Sequence, residues 1–234
     1  MIFLSHGENS IAFNSHLWYI ATMKFEDLLE IVGDEPLFTT GLLLAGGNAD
    51  DVRKQLSRWT KAGKLIQLRR GLYTLAPPHQ KNSPHPFLVA NMIVKGSYVS
   101  CESALAYYGL IPEHVPVTVS VSLSRPGRKA TPLGDYQFHH ISRKLFFGYH
   151  PLQVKANQHA FVALPEKALL DLVYLRKQGD STEYLQSLRL QNSDQINPDR
   201  LREYAERAQV KKIFRACENI IHIIHKEKSE YRIL

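Results

Sequence analysis

The sequence of 234 residues has little of what metal centres, disulfide frameworks and membrane spans require. Its two cysteines, Cys101 and Cys217, form no CxxC pair, so neither a zinc knuckle nor a disulfide framework is expected. No apolar run approaches the roughly 18 residues of a membrane span, and the first residues lack a basic segment followed by a continuous apolar stretch. A soluble protein of a reducing cytoplasm is therefore expected.

Groups that could carry catalysis are also sparse. Glu166 and Asp171 are five residues apart in a predicted helix and do not share a face, and no glycine-rich phosphate loop accompanies them. Cys101 is expected to be a small buried or interface residue, because a nucleophile would need a lowered pKa. His222 and His225 could share a metal ion at i, i+3, but a third ligand is missing nearby. We therefore expect no catalysis, no metal and no cofactor.

Acidic residues are missing from one basic stretch, which runs from Arg53 to Arg70. Within it Leu56 and Trp59 continue an apolar helical face that begins at Val52. The opposite face of the same helix carries Arg53, Lys54, Ser57, Arg58 and Lys61. The net charge of +7 is only a weak indication of a polyanionic partner, whereas charge on one helical face favours DNA.

The same helix has clear ends, and a hairpin follows it. Asn48 is a suitable N-cap, and Gly63 can adopt the left-handed conformation that ends a helix. Residues 65–68 and 72–75 have strand composition, and the turn between them contains Gly71. This layout is typical of a recognition helix followed by a wing, with Arg69 and Arg70 at the tip of the wing.

Residues 23–76 are therefore predicted to form a winged helix-turn-helix that binds double-stranded operator DNA. Its first two helices are expected at residues 25–32 and 38–45. The expected DNA-binding residues are Arg53, Lys54, Ser57, Arg58, Lys61, Lys64, Arg69 and Arg70. The alternative is a solvated, charged surface helix beside an unrelated hairpin.

The remainder of the chain predicts an α+β fold. Residues 1–22 are an extension of uncertain order, and Met23 could be the natural start. Residues 77–86, which are rich in proline, are expected to form a linker. Residues 87–180 are predicted to form a mixed α/β domain with an antiparallel sheet, including strands near 115–123, 136–141, 146–149 and 160–164 and a helix from Pro165. Residues 181–234 are expected to be a helical C-terminal region.

Five segments in this order, GKLIQLRRGLYTLAP, SYVSCESALAYYGLIPE, VTVSVSLSRPGR, FFGY and ALPEKALLDLVYL, resemble the AbiEi family of antitoxins and related transcriptional regulators. The resemblance covers roughly residues 24–178. It implies an N-terminal winged helix that represses its own operon, and a C-terminal domain with antitoxin activity. In such type IV toxin–antitoxin systems, which include abortive infection systems, the antitoxin opposes a nucleotidyltransferase-type toxin without a stable complex.

A second basic group is a candidate surface for the antitoxin activity. It consists of Arg125, Arg128, Lys129, Arg143 and Lys144, with only Asp135 opposing them. A solvated strand edge would have the same composition. Two other functions stay open: a stand-alone regulator whose second domain senses a ligand or mediates oligomerisation, and a nuclease delivered to DNA by the winged helix. The gene adjacent to this one would separate the first of these from an antitoxin.

Overall fold

The computed structural model describes residues 23–44 and 48–230, and the chain divides between Ser83 and Pro84 into two compact units. The predicted extension at residues 1–22, the end of the helix expected at 38–45 and residues 231–234 lie outside the described residues. Each unit is built around its own core, and together they make a mixed α+β fold.

The first unit combines helices with a small antiparallel sheet. Its elements are α1 (Phe25–Val32), β1 (Phe38–Thr39), a 3-10 helix (Thr40–Leu43), α2 (Ala49–Lys61), β2 (Leu65–Arg69) and β3 (Leu72–Leu75). The strands lie in the order β1-β3-β2, so β3 is central. Helix α2 leads through a short turn into the β2–β3 hairpin.

The ends of α2 are those that the sequence predicts. The Asn48 side chain accepts a hydrogen bond from the Asp50 amide at 3.0 Å, which satisfies one of the free donors at the start of the helix. Gly63 has a φ of 71°, and the Lys64 amide donates to the Trp59 carbonyl at 2.9 Å. This hydrogen bond, which runs from the residue after Gly63 back to the helix, closes its last turn. The helix is therefore well bounded at both ends.

The helix predicted over residues 38–45 is wrong. Phe38 and Thr39 instead form β1, opposite Tyr73 and Leu72 of β3. The Phe38 and Tyr73 rings stack with their centroids 5.8 Å apart. A short apolar run fits a strand or a buried helix equally well, and pairing with β3 decides between them here. Between β1 and α2, the described residues contain one helix, the 3-10 helix Thr40–Leu43.

The core of the first unit gathers the apolar faces of α1 and α2 on the hairpin. Leu28 and Leu56 are completely buried, and Trp59 meets Phe25 edge to face at a centroid distance of 5.5 Å. Leu65 and Leu75, which pair across β2 and β3, are part of the same cluster. The apolar stripe that sequence periodicity assigns to α2 is therefore the face that packs.

The segment predicted as a linker, residues 77–86, contains the division between the two units and also makes side-chain contacts within the first unit. His79 packs edge to face on Phe25 at 4.9 Å, and the Gln80 amide donates to the Thr74 hydroxyl at 3.0 Å. The Asn82 side chain donates to the Asp34 carbonyl at 2.9 Å. Its last residue, Pro86, already begins a helix of the second unit. Prolines exclude a central strand and a helix interior, but they leave side-chain contacts possible.

The second unit contains a six-stranded sheet in the order β6-β7-β5-β4-β9-β8. The strands are β4 (Ser97–Val99), β5 (Val117–Ser122), β6 (Gly127–Thr131), β7 (Gly134–His140), β8 (Tyr149–Lys155) and β9 (Gln158–Ala163). The pairs β5–β7 and β4–β9 are parallel and the other pairs are antiparallel. The predicted antiparallel sheet is therefore wrong, because alternation along a strand reports its buried face and not the direction of its neighbours.

Two strands of this sheet differ from the sequence prediction. The strand expected at residues 146–149 is preceded by a 3-10 helix (Arg143–Leu145), and β8 starts only at Tyr149. Strand β6 is not predicted at all. It is an edge strand whose residues are almost all exposed, so it lacks the alternation of apolar and polar residues that marks a half-buried strand.

Helices of the second unit pack on this sheet and on one another. They are α3 (Pro86–Ile93), α4 (Cys101–Tyr107), α5 (Pro165–Leu175), α6 (Thr182–Ser187), α7 (Pro198–Ala208) and α8 (Lys211–Glu230). The start of α5 coincides with the predicted position of Pro165, and α7 also begins at a proline, Pro198. Helices α7 and α8 contact α5, and α6 contacts α8, so the helical C-terminal region packs into the second unit. No helix in the described part of the chain combines the length and apolar composition needed to cross a membrane.

Candidate nucleic-acid interface

The polar face of α2 is open to solvent along its whole length. Val52, Leu56 and Trp59 are buried on the opposite face. The five residues that the sequence assigns to the polar face, Arg53, Lys54, Ser57, Arg58 and Lys61, are all exposed. The structure therefore presents four cationic side chains and a hydroxyl from one helical surface.

The first two cations of this face are paired with aspartates of the same helix. Arg53 contacts Asp50 at 3.0 Å, and Lys54 contacts Asp51 at 3.4 Å. Both pairs are solvent-exposed and span i, i+3, so each contributes little to stability. A phosphate approaching this end of α2 would have to displace a carboxylate. Both aspartates lie in the first turn of α2, where their charge also suits the positive end of the helix dipole.

The last turns of α2 carry their cations without a neighbouring carboxylate contact in the described residues. The nearest partner recorded for Arg58 is the neutral Gln55 side chain, whose oxygen accepts a hydrogen bond at 3.3 Å. Lys61 lies one turn further on and is exposed. This end of the helix therefore offers positive charge to an anion more readily than the first turn.

Three cations in or next to the hairpin, Lys64, Arg69 and Arg70, differ in their surroundings. Arg70 is exposed in the turn between β2 and β3, next to Gly71 with a φ of 79°. The Arg69 guanidinium donates to the Arg70 carbonyl at 3.0 Å and so stabilises the turn as well. The Lys64 ammonium lies 4.5 Å from the centroid of the Phe25 ring. Lys64 is therefore partly committed to packing, whereas Arg69 and Arg70 occupy the predicted tip.

The second basic group is spread over three segments of the second unit. All five members are exposed: Arg125, Arg128, Lys129, Arg143 and Lys144. Arg128 and Lys129 are consecutive in β6, so their side chains point to opposite faces of the sheet. Arg128 also contacts Asp135 at 2.5 Å. The group therefore does not form one continuous face.

A buried polar network that sequence reasoning missed lies in α5. Lys167 and Asp171 form an ion pair in which the two side chains are 2% and 1% exposed. The second oxygen of Asp171 accepts hydrogen bonds from the Ser100 hydroxyl at 2.7 Å and the Tyr98 hydroxyl at 3.0 Å. The i, i+4 spacing of Lys and Asp inside an apolar helix was the available signal. The network connects α5 to β4.

Glu166, at the start of α5, is completely buried and holds a different part of the unit. It accepts a hydrogen bond from the Asn197 amide at 2.7 Å, just before α7, and lies 3.6 Å from Arg200. It lies in the first turn of α5, where a negative charge suits the positive end of the helix dipole. Because Glu166 and Asp171 contact different partners, they do not act as one pair of carboxylates.

Cys101 stands where β4 turns into α4, with a φ of 53° and almost no exposure. Burial, followed by the charges of Asp171 and Glu102, raises the pKa of the Cys101 thiol well above its ordinary value. This environment disfavours the thiolate that a nucleophile needs. Within residues 23–44 and 48–230, no group of three or more His, Cys, Asp or Glu side chains is placed to hold a metal ion.

Comparison with known proteins concerns the fold alone. No protein-family model matches the sequence, and no curated protein matches it. Among solved structures, the chain is similar to the crystal structure of the RV2827C protein from Mycobacterium tuberculosis, with a TM-score of 0.51 and 16% sequence identity. The match covers 82% of this chain and 74% of that chain. At this identity the likeness indicates a shared arrangement of elements.

Proposed function

We propose that the chain is a DNA-binding transcriptional regulator of the cytoplasm, and that its first unit is a winged helix. The exposed polar face of α2 carries this proposal, since all five of its predicted DNA-facing side chains point to solvent. Duplex DNA rewards such a surface because every neutralised phosphate releases condensed counterions. The width of the major groove accepts a helix of this kind.

The order of elements around α2 supports the same proposal. A helix, a short strand, a single helical turn, the exposed helix α2 and a hairpin follow one another, and the first strand pairs with the last. This pairing ties β1 to the hairpin, so the wing has a rigid base. In such an arrangement α2 would enter the major groove while Arg69 and Arg70 reach the neighbouring backbone or the minor groove.

The ion pairs of α2 suggest a division of labour along the helix. Arg58 and Lys61 would contact phosphates first, because no aspartate has to leave them. Arg53 and Lys54 would gain less net energy, since each exchanges a carboxylate for a phosphate. Ser57, between these pairs, can donate to or accept from a base edge.

Replacing Arg69 and Arg70 together with alanine is expected to weaken binding to every DNA sequence. The slope of log K against log salt should fall by roughly 1 to 2, because about one counterion is released for each phosphate contact. The measurement is a fluorescence-anisotropy titration of the DNA upstream of the gene, at several salt concentrations. An unchanged affinity and slope would remove the wing from the interface.

A matched control removes the same charge elsewhere. Lys81 and Lys95 are exposed and lie outside α2 and the hairpin. The double variant Lys81→Ala and Lys95→Ala should keep the salt slope of the native protein within the error of the titration. An equal fall of the slope in both double variants would mean that net charge alone attracts DNA to the chain.

The resemblance to AbiEi antitoxins adds a proposed role for the second unit. In that proposal the chain represses its own operon, and its second unit, without catalysis of its own, opposes a nucleotidyltransferase-type toxin without forming a stable complex with it. The second basic group would supply the residues for this activity, and they would act from separate places, because Arg128 and Lys129 face opposite sides of the sheet. The other exposed members of the group are Arg125, Arg143 and Lys144.

A fragment of residues 84–234 is expected to fold alone and to restore growth beside the toxin, while it binds no operator. The fragment must keep residues 84 and 85, because the His85 ring caps α3 at the Phe87 amide and the His85 amide donates to Gln158 at 2.7 Å. Growth of cells that express the neighbouring toxin gene is the measurement. Rescue by residues 1–83 and not by residues 84–234 would reverse the assignment.

A stand-alone regulator with a ligand-sensing second unit is the alternative. The observation that favours it is a large cleft between the sheet and the helices of that unit. An adjacent nucleotidyltransferase gene would support the antitoxin, and its absence would support the lone regulator. The proposal of DNA binding is common to both.

A further inference from the structure

The proposed binding of DNA gives no role to a cleft of about 630 Å³ in the second unit. Its floor is a strand face and its wall is helical. Val117 and Val119 of β5 form the floor, and Leu172, Leu175 and Leu188 line the helical side. A concave, largely apolar space of this size lies within the range that binds small molecules.

Strand register explains why polar groups accompany this apolar floor. Val119 pairs with Gln137 of β7, and Gln137 pairs with Arg128 of β6, so all three side chains point to the same face. His139, two residues further along β7, shares that face. The outer strands therefore extend the floor with polar side chains, while β5 contributes aliphatic ones.

The helical wall adds an ion pair that is open to the cleft. Arg176, which follows α5, donates from Nη2 to Glu102 of α4 at 2.9 Å. Their side chains are 59% and 26% exposed, and both line the cleft. The Arg176 side chain also has a hydrogen bond with Tyr184. A guanidinium has five N–H donors and a carboxylate accepts through two oxygens, so these bonds leave capacity on both Arg176 and Glu102.

Two neighbours of the ion pair supply neutral polar groups. Burial lowers the pKa of His139 below its ordinary value; the negative charge of Glu102 opposes this shift, and the positive charge of Arg176 adds to it. The imidazole is thus neutral at pH 7 and has one donor and one acceptor. Burial raises the pKa of Tyr184, which keeps its hydroxyl protonated. The polar wall therefore holds donors and acceptors side by side.

The charges of the cleft argue against a simple anion as its ligand. Glu113 also lines the cleft, and hydrogen bonding to Arg189 lowers the pKa of Glu113, which keeps that carboxylate ionised at pH 7. A carboxylate ligand would face Glu102 and Glu113 and would have to compete for Arg176. A neutral ring with a donor next to an acceptor meets no such penalty, because it can bind both halves of the ion pair.

We propose that this cleft binds a purine nucleoside, with the base on the aliphatic floor and its polar edge against Glu102 and Arg176. A purine has a flat apolar face for Val117 and Val119. Its edge places N–H donors beside nitrogen or oxygen acceptors, which match a carboxylate beside a guanidinium. Gln137 and His139 can pair with the remaining polar atoms of the base. The site lies wholly in the second unit and does not depend on the proposed binding of DNA.

Isothermal titration calorimetry of the full chain with guanosine and with adenosine tests the proposal. At least one of the two nucleosides should bind saturably with one site per chain. The comparison probe 2-naphthoate has a similar flat ring and a negative charge but no N–H donor. Its affinity should be lower than that of the nucleoside by about tenfold or more. Absence of saturable binding of both nucleosides, or tighter binding of 2-naphthoate, would overturn the proposal.

Variants separate the cleft from the rest of the surface. Glu102→Gln keeps the shape of the side chain but replaces one acceptor oxygen with an N–H donor, so nucleoside affinity should fall about tenfold or more. Val119→Phe fills the floor and should abolish binding. The control Asp180→Asn breaks a comparable ion pair with Arg215, at 2.6 Å and outside the cleft, and should leave affinity unchanged. Equal affinity in native protein and Glu102→Gln would place the nucleoside elsewhere and reject this site.

Discussion

Replacing Trp59 with alanine is expected to lower the free energy of unfolding of the first unit by about 3–5 kcal/mol. The indole is 7% exposed and packs edge to face on Phe25, in the same cluster as the completely buried Leu28 and Leu56. Removing it leaves a cavity that the short helices and the small sheet cannot close. Binding of DNA should be lost with it, through unfolding of the unit that carries α2.

Hydrogen exchange of the amides in α1 and α2 measures this effect in the full chain, because their slowest rates report the opening of the first unit. Trp59→Phe is the control, since it keeps an aromatic ring against Phe25 and should cost much less. If Trp59→Ala kept the native exchange rates and still lost DNA, the indole would have to contact DNA directly. The assignment of the apolar face of α2 to the core would then be wrong.

The facing of α2 could be predicted because it depends on local spacing. Residues at i, i+4 and i+7 share one side of any helix, so Val52, Leu56 and Trp59 had to face together. The caps at Asn48 and Gly63 are equally local. Likewise, the prolines at 165 and 198 marked the starts of α5 and α7, since proline suits the first helical position.

Features that depend on distant partners could not be predicted in this way. The strand β1 exists because β3 is available to pair with it, and a sequence window around Phe38 contains nothing of β3. The parallel pairs β5–β7 and β4–β9 depend on how the chain crosses the sheet. The edge strand β6 has too few apolar residues for periodicity to detect it.

The same contrast between local features and features that depend on distant partners applies to the side chains of the candidate interface. Periodicity correctly predicted that Arg53 and Lys54 lie on the exposed face of α2. Their ion pairs with Asp50 and Asp51 depend on side-chain rotamers as well as on spacing. Lys64 was predicted as a DNA contact, and its ammonium lies over the Phe25 ring, some forty residues earlier in the chain. Charge counts along a sequence therefore overstate the number of cations that are free to meet phosphate.

Replacing Lys167 with methionine is expected to cost about 3–5 kcal/mol of stability in the second unit. Methionine fills most of the volume of the lysine stem but leaves the Asp171 carboxylate buried without its cation. The hydroxyls of Tyr98 and Ser100 still donate to that carboxylate, but they do not neutralise it. The ammonium also lies 5.2 Å from the centroid of the Phe147 ring, a contact that the variant loses.

A double-mutant cycle separates the charge effect from the loss of packing. Asp171→Asn keeps an acceptor for the two hydroxyls and removes the charge, so alone it should leave Lys167 uncompensated and also destabilise the unit. Combined with Lys167→Met, it should cost less than the sum of the single variants, with a coupling energy of about 2–3 kcal/mol. Urea unfolding, followed by circular dichroism, gives the four free energies.

The exposed pair Arg202–Asp199 in α7 provides the comparison. Its side chains are 45% and 93% exposed at a contact distance of 3.2 Å, so Arg202→Met should change stability by less than about 1 kcal/mol. Lys167→Met and Arg202→Met each remove one cation from a helix of the second unit. The first cation is buried and the second is exposed. If Lys167→Met were as mild as Arg202→Met, the buried carboxylate would have found another partner or a proton. In that case the hydrogen bonds from Tyr98 and Ser100, and not the charge of Lys167, would be what stabilises Asp171 in its buried position.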